Sequence, residues 1–257
     1  MPEQVTAGSM RLNRFLARAG IASRRKSDEL IRSGVVRVNG EIVSQPGSSV
    51  ALDQDRVECA DQPVVLPDHF EYLLLYKPTG CLVTHSDTHG RPTVFDHLDQ
   101  VHSGTVAVGR LDQDTTGLLL LTDDGELAFR LMHPRFEVEK RYQVRVGGQP
   151  RAADLQRLRR GIELDDGPTA PAQVRVLSQE ERHGETLLEI CLHQGRKRQI
   201  KRMFEAIGHR VRQLERTVFA DLDLSGLEPG QWRRLKPAEV RTLRRDVGLE
   251  AGDNGRA

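Results

Sequence analysis

The 257-residue sequence has little cysteine, no long apolar run and almost no net charge. Its cysteines, Cys59, Cys81 and Cys191, are scattered and form no C-x-x-C pair, so neither a zinc site nor a disulfide framework is predicted. No segment approaches the roughly 18 apolar residues needed to cross a membrane, and the N-terminal MPEQVTAGSM lacks the apolar core of a signal peptide. We therefore expect a cytoplasmic protein without membrane contact.

The net charge of +1 hides a strong segregation of charge along the chain. Residues 11–40 contain eight Lys or Arg against two acidic residues, and residues 193–216 contain the same numbers, whereas residues 51–100 contain three against nine. Two basic segments in a neutral chain predict two basic faces for a polyanion. The alternative is that both are ordinary solvated helix faces.

The first basic segment predicts two helices followed by a hairpin. Apolar residues recur at helical spacing from Leu12, and Ser23 is a candidate N-cap for the second helix. Cations in that helix's first turn are unfavourable beside the helix dipole, so we interpret them as anion contacts. Asn39-Gly40 between VVRV and EIV predicts a type I′ turn.

The string GIASRRKSDELIRSGVVRVNG resembles the S4 RNA-binding domain throughout. The resemblance implies an RNA-docking module over residues 10–60, which recognises RNA by shape and charge. A small basic domain for protein contact is the alternative. The implied phosphate contacts are Arg11, Arg14, Arg24, Arg25 and Lys26.

Two prolines and no periodicity predict a linker at residues 61–69. Residues 70–248 then form the larger domain, and residues 1–9 and 249–257 are predicted to be disordered tails. Strands with hairpin signals outnumber helices in the larger domain, so we predict an α+β fold with a mainly antiparallel sheet.

The larger domain is organised around residues 109–128, GRLDQDTTGLLLLTDDGELA. A polar turn runs directly into four leucines, which is typical of a strand covered on both faces. Asp112, held at the mouth of that strand, is the first candidate for chemistry. A calcium loop is disfavoured because the leucines occupy its middle, and a purely structural turn remains an alternative.

This stretch, G-R-L-D-x-x-T-x-G-L-L-L, resembles the central motif of the RsuA/RluB-type ribosomal pseudouridine synthases. YLLLYKPTG resembles the first motif of that family, and Tyr142 lies in its K-x-Y pattern. HQGRKRQIKRMFEAIGHRV resembles its third motif, G-R-x-x-Q-[IVL]-[KR], with Ile200 and Lys201 in the last two places. The matches extend over roughly residues 10–248.

The resemblance implies roles for these side chains. Asp112 is the catalytic carboxylate, Lys201 keeps it ionised, Tyr142 stacks on an everted base and Ile200 forms part of the pocket wall. Arg110, Lys77 and Arg196 are predicted to bind the substrate. The reaction has no redox step and no net hydrolysis, so no cofactor or metal is implied. The triplet at His85, Asp87 and His89 is interpreted as a solvated turn.

The implied activity is isomerisation of a uridine in ribosomal RNA, or in an assembling ribosomal subunit, by a monomer. Segments such as LMHPRFEVEKRYQVRV and GIELDDGPTAP look closest to the branch that modifies large-subunit RNA, whereas Q-I-K at Gln199 to Lys201 is shared with small-subunit enzymes. Two other hypotheses stay open. One is a non-catalytic S4-type RNA-binding protein. The other is a retaining glycosidase using Asp112 and Asp114, which the aromatic content of 4% disfavours.

Overall fold

A computed structural model of the chain describes residues 8–180 and 184–249, which form two compact units. The first unit comprises residues 8–71 and 100–106, so it is not contiguous, unlike the predicted domains. Residues 100–106 are held within the first unit because the His102 amide and the Thr105 hydroxyl donate to the Glu71 carboxylate at 2.9 and 3.2 Å. Of the predicted disordered tails, residues 1–7 and 250–257 lie outside the described residues, whereas Ser9 begins a strand.

The first unit packs two helices against short strands. Its core contains Leu12, Leu16, Ile31 and Val36, each fully buried, which explains the helical spacing of the apolar residues. The elements are β1 (Ser9–Arg11), α1 (Leu12–Arg18), α2 (Arg24–Arg32), β2 (Val36–Val38), β3 (Glu41–Ile42), β4 (Ser49–Ala51), β5 (Val57–Cys59) and β6 (Gln62–Val64). Strand β1 pairs with β4, and a second sheet has the order β3-β2-β5-β6.

The predicted hairpin is confirmed. Asn39 and Gly40 have φ of 54° and 84°, as a type I′ turn requires, and β2 and β3 pair across them. The predicted linker is wrong at its start, because β6 pairs with β5. Pro63 is tolerated there because β6 is an edge strand, where a missing N–H breaks no ladder.

The second unit contains the remaining elements. They are β7 (Tyr72–Lys77), β8 (Val106–Ala107, at the unit boundary), β9 (Thr116–Thr122), α3 (Gly125–Met132), β10 (Lys140–Gly147), α4 (Ala152–Arg160), β11 (Glu163–Leu164), β12 (Gly167–Pro168), β13 (Gln173–Glu180), β14 (Glu185–Leu192), α5 (Gln199–Glu205), β15 (Val211–Phe219), β16 (Leu222–Asp223), β17 (Trp232–Arg234) and α6 (Pro237–Asp246). Two short 3-10 helices lie at Val94–His97 and Pro134–Phe136.

The main sheet follows the order β13-β14-β10-β15-β9-β7-β17, with β16 beside β15. Along this path every described pairing is antiparallel except that of β9 with β15, which confirms the predicted α+β class. The four leucines of β9 are fully buried, as predicted for a strand covered on both faces. Leu118 and Leu120 share a core with Leu127 of α3 and Leu243 of α6.

Gly117 allows the backbones of β9 and β15 to approach closely. Its φ is 109°, and a Cβ at this position would lie 2.3 Å from the carbonyl oxygen of Arg216. We expect Gly117→Ala to destabilise the protein by about 3 kcal/mol or more, because backbone strain adds to an overlap that no side chain can relieve. The measurement is the thermal midpoint, which should fall by roughly 10 °C.

The matched control for this substitution is Gly125→Ala in the first turn of α3. No atom lies within 4 Å of a Cβ built at Gly125, and its φ is not in the left-handed region. The control should therefore be neutral or slightly stabilising. Equal midpoints for the two variants would contradict the account of the β9–β15 contact.

Candidate active site

The side chains of Asp112, Asp114 and Lys201 meet in the second unit. The Lys201 ammonium donates to Oδ2 of Asp112 at 3.1 Å and also to Oδ1 of Asp114. The Lys201 side chain is only 11% exposed. Burial acts to raise the pKa of Asp114, but the hydrogen bond and charge of Lys201 outweigh it, so this pKa lies below its usual value. An ammonium therefore occupies the space between the carboxylates that a calcium ion would need.

The parallel pairing of β9 with β15 explains how residues so distant in sequence come together. The turn bearing Asp112 and Asp114 leads directly into β9, and α5, which bears Lys201, precedes β15. Thr116 is opposite Glu215, and Gly117 is opposite Arg216. Since parallel neighbours enter a sheet from the same end, the segments that precede them meet there. No local pattern in the sequence specifies this pairing.

Lys77 supports the aspartate turn and has no exposed surface, so the predicted substrate contact is corrected. Its side chain is fully buried, and its ammonium donates to the carbonyls of Pro78 and Thr115 at 2.9 Å and of Gln113 at 3.2 Å. Burial is the main reason that the pKa of Lys77 is lowered. All three of its donors are used on backbone oxygens, which fixes the shape of the turn.

A cavity of about 630 Å³ opens beside the charged pair. Its size falls in the range of small-ligand sites. Tyr142 and Ile200, 9% and 5% exposed, contribute to its wall, so the structure brings these predicted residues to one cavity with Asp112. Predicted site residues that border it are Arg110, Asp112, Tyr142, Arg196 and Ile200.

The two predicted substrate-binding arginines differ in their environments. Arg110 is exposed, and its guanidinium forms no ion pair or hydrogen bond with any part of the chain that the structure describes. Arg196 instead donates to the carbonyl of Gly167 at 2.8 Å and also to that of Pro168. Its guanidinium holds the β11–β12 hairpin beside the cavity, and its predicted contact with the substrate stays a prediction.

Sequence reasoning missed two cations that border the cavity, Lys140 and Arg216. Arg216 is 2% exposed, and its Nε donates to the carbonyl of Leu118 at 2.7 Å. The Lys140 ammonium donates to the carbonyl of Val138 at 2.8 Å. Burial, followed by the charge of Arg216, lowers the pKa of Lys140 to about 8. Strand alternation could have revealed Lys140, because it lies two residues before Tyr142 and so on the same face.

The lowered pKa of Lys140 predicts a pH-dependent cost to stability. Between about pH 8 and the usual pKa of 10.5, the unfolded chain keeps a proton that the folded chain has released, so this group contributes increasing stability as pH rises. Below that window both states are protonated, and the buried charge is unfavourable. We expect Lys140→Met to stabilise the protein by on the order of 1 kcal/mol at pH 7.

Urea unfolding at pH 7 and pH 9.5 measures this effect. The advantage of Lys140→Met should shrink at the higher pH. Lys197→Met, which removes an exposed lysine from the same cavity, supplies the control for the substitution itself. An advantage of Lys140→Met that is the same at both pH values would contradict a buried, perturbed ammonium.

The basic residues predicted to contact RNA belong to the first unit. Ser23 caps α2 by accepting from the Lys26 amide at 3.4 Å, as predicted, which places three cations in the first helical turn. Within residues 8–180 and 184–249, none of the five predicted cations forms an ion pair, and all except half-buried Arg14 are exposed. They are Arg11, Arg14, Arg24, Arg25 and Lys26.

The histidine-rich turn has ordinary structural partners. Asp87 accepts from the Arg91 guanidinium at 2.7 Å, and His85 stacks on Phe95 with ring centroids 3.8 Å apart. Among the described residues no three His, Cys, Asp or Glu side chains are grouped for a metal ion. No helix in the described part of the chain has the length and apolar character needed to span a membrane.

The fold places a charged pair, Asp112 with Lys201, beside a cavity, and comparison with known families shows which class of protein has this arrangement. The family model for RNA pseudouridylate synthase matches residues 71–206, and that for the S4 domain matches residues 10–57. The chain belongs to the RNA pseudouridine synthase family, and is therefore an isomerase.

Individual relatives are similar over nearly their whole length. The chain is 44% identical to "Ribosomal large subunit pseudouridine synthase B" of Bacillus subtilis, over 91% of this chain and 95% of that protein. It is 42% identical to an uncharacterised RNA pseudouridine synthase of Aquifex aeolicus, over 94% and 96% of the two chains. A crystal structure described as a pseudouridylate synthase superposes with a TM-score of 0.66 at 32% identity, covering 91% of this chain and 99% of that one.

Proposed function

We propose that this enzyme converts a uridine of large-subunit ribosomal RNA to pseudouridine. The observation that carries the chemical part is the Asp112–Lys201 pair beside a cavity partly walled by Tyr142. The choice of large-subunit RNA is supported by the 44% identity to the Bacillus subtilis protein named as a large-subunit pseudouridine synthase. The first unit docks the RNA through its exposed cations, which bind phosphates without reading sequence.

The reaction detaches uracil from C1′ of its ribose, turns it and rejoins it through C5. Asp112 either attacks C1′ or removes the 2′ proton, and both routes need an ionised carboxylate. The Lys201 ammonium lies 3.1 Å from Oδ2 of Asp112, so its positive charge faces the carboxylate that both routes use. The reaction thus depends on the contact between Asp112 and Lys201, which must persist while the substrate displaces water from the cavity.

The remaining side chains hold an everted nucleotide. Tyr142 offers a ring for stacking, and Ile200 packs the wall beside it. Arg110, exposed at the cavity and free of protein partners in the described chain, binds the phosphate of the extruded nucleotide. Lys77 acts indirectly, because it keeps the turn before β9 in shape.

The enzyme acts as a monomer in the cytoplasm, on ribosomal RNA or an assembling subunit. Its free cysteines, Cys59, Cys81 and Cys191, are buried, in keeping with a reducing compartment.

The test incubates the purified full chain with large-subunit and small-subunit ribosomal RNA from a strain that lacks the gene, both as naked RNA and in assembling subunits. Pseudouridine is then mapped by chemical modification and primer extension. The proposal expects one new pseudouridine in large-subunit RNA. Product only in small-subunit RNA would show that the enzyme belongs with the small-subunit branch. Tight RNA binding without any product would favour the non-catalytic S4 hypothesis.

A further inference from the structure

We propose that Arg216 recognises the uracil base, with its free Nη2 donating a hydrogen bond to a carbonyl oxygen of the everted ring. This rests on the proposed function, since it assigns a residue to the substrate of that same cavity. By recognition we mean a hydrogen bond to the edge of the uracil ring, as distinct from a contact with the phosphate.

The first observation is an unsatisfied donor. The Nε of Arg216 is bonded to the Leu118 carbonyl at 2.7 Å, but its Nη2 is buried and has no hydrogen-bond partner within the described residues. A buried guanidinium normally uses its donors, because an unpaired one loses its bonds to water without replacement. Arg216 borders the cavity, and a small shift of its side chain toward the bound base brings this shielded Nη2 to a substrate acceptor.

The second observation is the position of Arg216 beside the stacking ring. Tyr142 on β10 is directly opposite Arg216 on β15, so the two side chains lie on one face of the sheet. Lys140, two residues before Tyr142, also borders the cavity, as does Phe219, whose ring centroid lies 5.0 Å from the Arg216 guanidinium carbon. A base stacked on Tyr142 therefore presents its edge to Arg216.

The depth of Arg216 favours the base over the phosphate. An everted nucleotide stays attached to the RNA at its ribose and phosphate, so the base must reach furthest into the cavity. Arg216 is 2% exposed, whereas Arg110 on the same cavity is exposed. Arg216, the deeper cation, accordingly contacts the base, and Arg110 contacts the RNA backbone.

The charge of Arg216 suits the chemistry of the departing base. When the bond between N1 and C1′ breaks, uracil leaves with the electron pair, and negative charge spreads to O2 and O4. This is true whether Asp112 attacks C1′ or removes the 2′ proton. No carboxylate among the described residues forms an ion pair with Arg216 or Lys140, so their charges are available to the anion. Arg216 itself forms no covalent bond and transfers no proton.

The test pairs a change in the residue with a change in the substrate atom. Single-turnover rates are measured with a synthetic RNA that carries uridine, 2-thiouridine or 4-thiouridine at the mapped target, since sulfur is a weaker acceptor than oxygen. With the native enzyme, one of the two thio substrates should react at least about 10-fold more slowly. Arg216→Lys should be slower on uridine, and its rate should no longer depend on that sulfur.

Lys201→Arg is the control, because it slows the reaction without touching the base edge and should keep the full sulfur effect. Arg216 also bonds Leu118, so Arg216→Gln is prepared in case Arg216→Lys does not fold. An equal sulfur effect in the native enzyme and the folded Arg216 variant would overturn the proposal, as would native rates unaffected by either sulfur. Absence of any product from uridine RNA would instead overturn the proposed function.

Discussion

Asp112→Asn is expected to reduce pseudouridine formation by on the order of 10⁴-fold while RNA binding is retained. The substitution keeps the size of the side chain but removes the negative charge that both possible routes require. Asp112 is one third exposed and Lys201 keeps Asp114 as a partner, so the fold should survive. Product is measured under single-turnover conditions, and binding by filter retention of labelled RNA.

Asp114→Asn is the matched control for Asp112. Both carboxylates contact Lys201, but Asp114 is 67% exposed and is not among the residues that border the cavity. Its loss should reduce the rate by roughly threefold at most, comparable to the weak contribution of an exposed ion pair. Undiminished product from Asp112→Asn would refute the catalytic assignment. Equal losses of rate in Asp112→Asn and Asp114→Asn would show that the two carboxylates contribute to catalysis together.

Lys201→Met is expected to lower the single-turnover rate by about 10²- to 10³-fold. The substitution keeps much of the side-chain volume but leaves Asp112 and Asp114 without the cation that lies between them. Two neighbouring carboxylates then repel each other, and one of them tends to hold a proton. The rate should recover in part at higher pH, which a pH–rate profile measures.

Lys201→Arg separates the effect of charge from that of shape. It restores a cation at the same position, so most of the pH dependence seen in Lys201→Met should disappear even if the rate stays reduced. Circular dichroism and thermal midpoints show whether either variant alters the fold. A Lys201→Met rate within threefold of the native rate would exclude the proposed electrostatic role of the ammonium.

The sequence predicted well those features that neighbouring residues determine. The apolar block Leu118 to Leu121, the turn at Asn39 and Gly40, and the Ser23 cap each depend on a few adjacent residues, and all three are confirmed. The meeting of Asp112 with Lys201 was implied only by family resemblance, since it requires a strand pairing between distant segments.

Lys77 shows where such reasoning fails. It was assigned to the substrate from its place in a motif, but a motif does not state whether a side chain points into a cavity or toward a neighbouring loop. Arg216 was missed for the related reason that a buried arginine in a basic segment looks like any surface arginine. Its partner across the sheet, Tyr142, becomes evident only when the strand register is known.

The pairing of β9 with β15 brings together side chains that are synthesised far apart in time. Asp112 and Lys201 are 89 residues apart, and the described sheet joins their segments through its parallel contact alone. A nascent chain that has emerged only as far as α4 holds both aspartates without their cation. The charge balance of the site is therefore complete only after α5, which bears Lys201, has been synthesised.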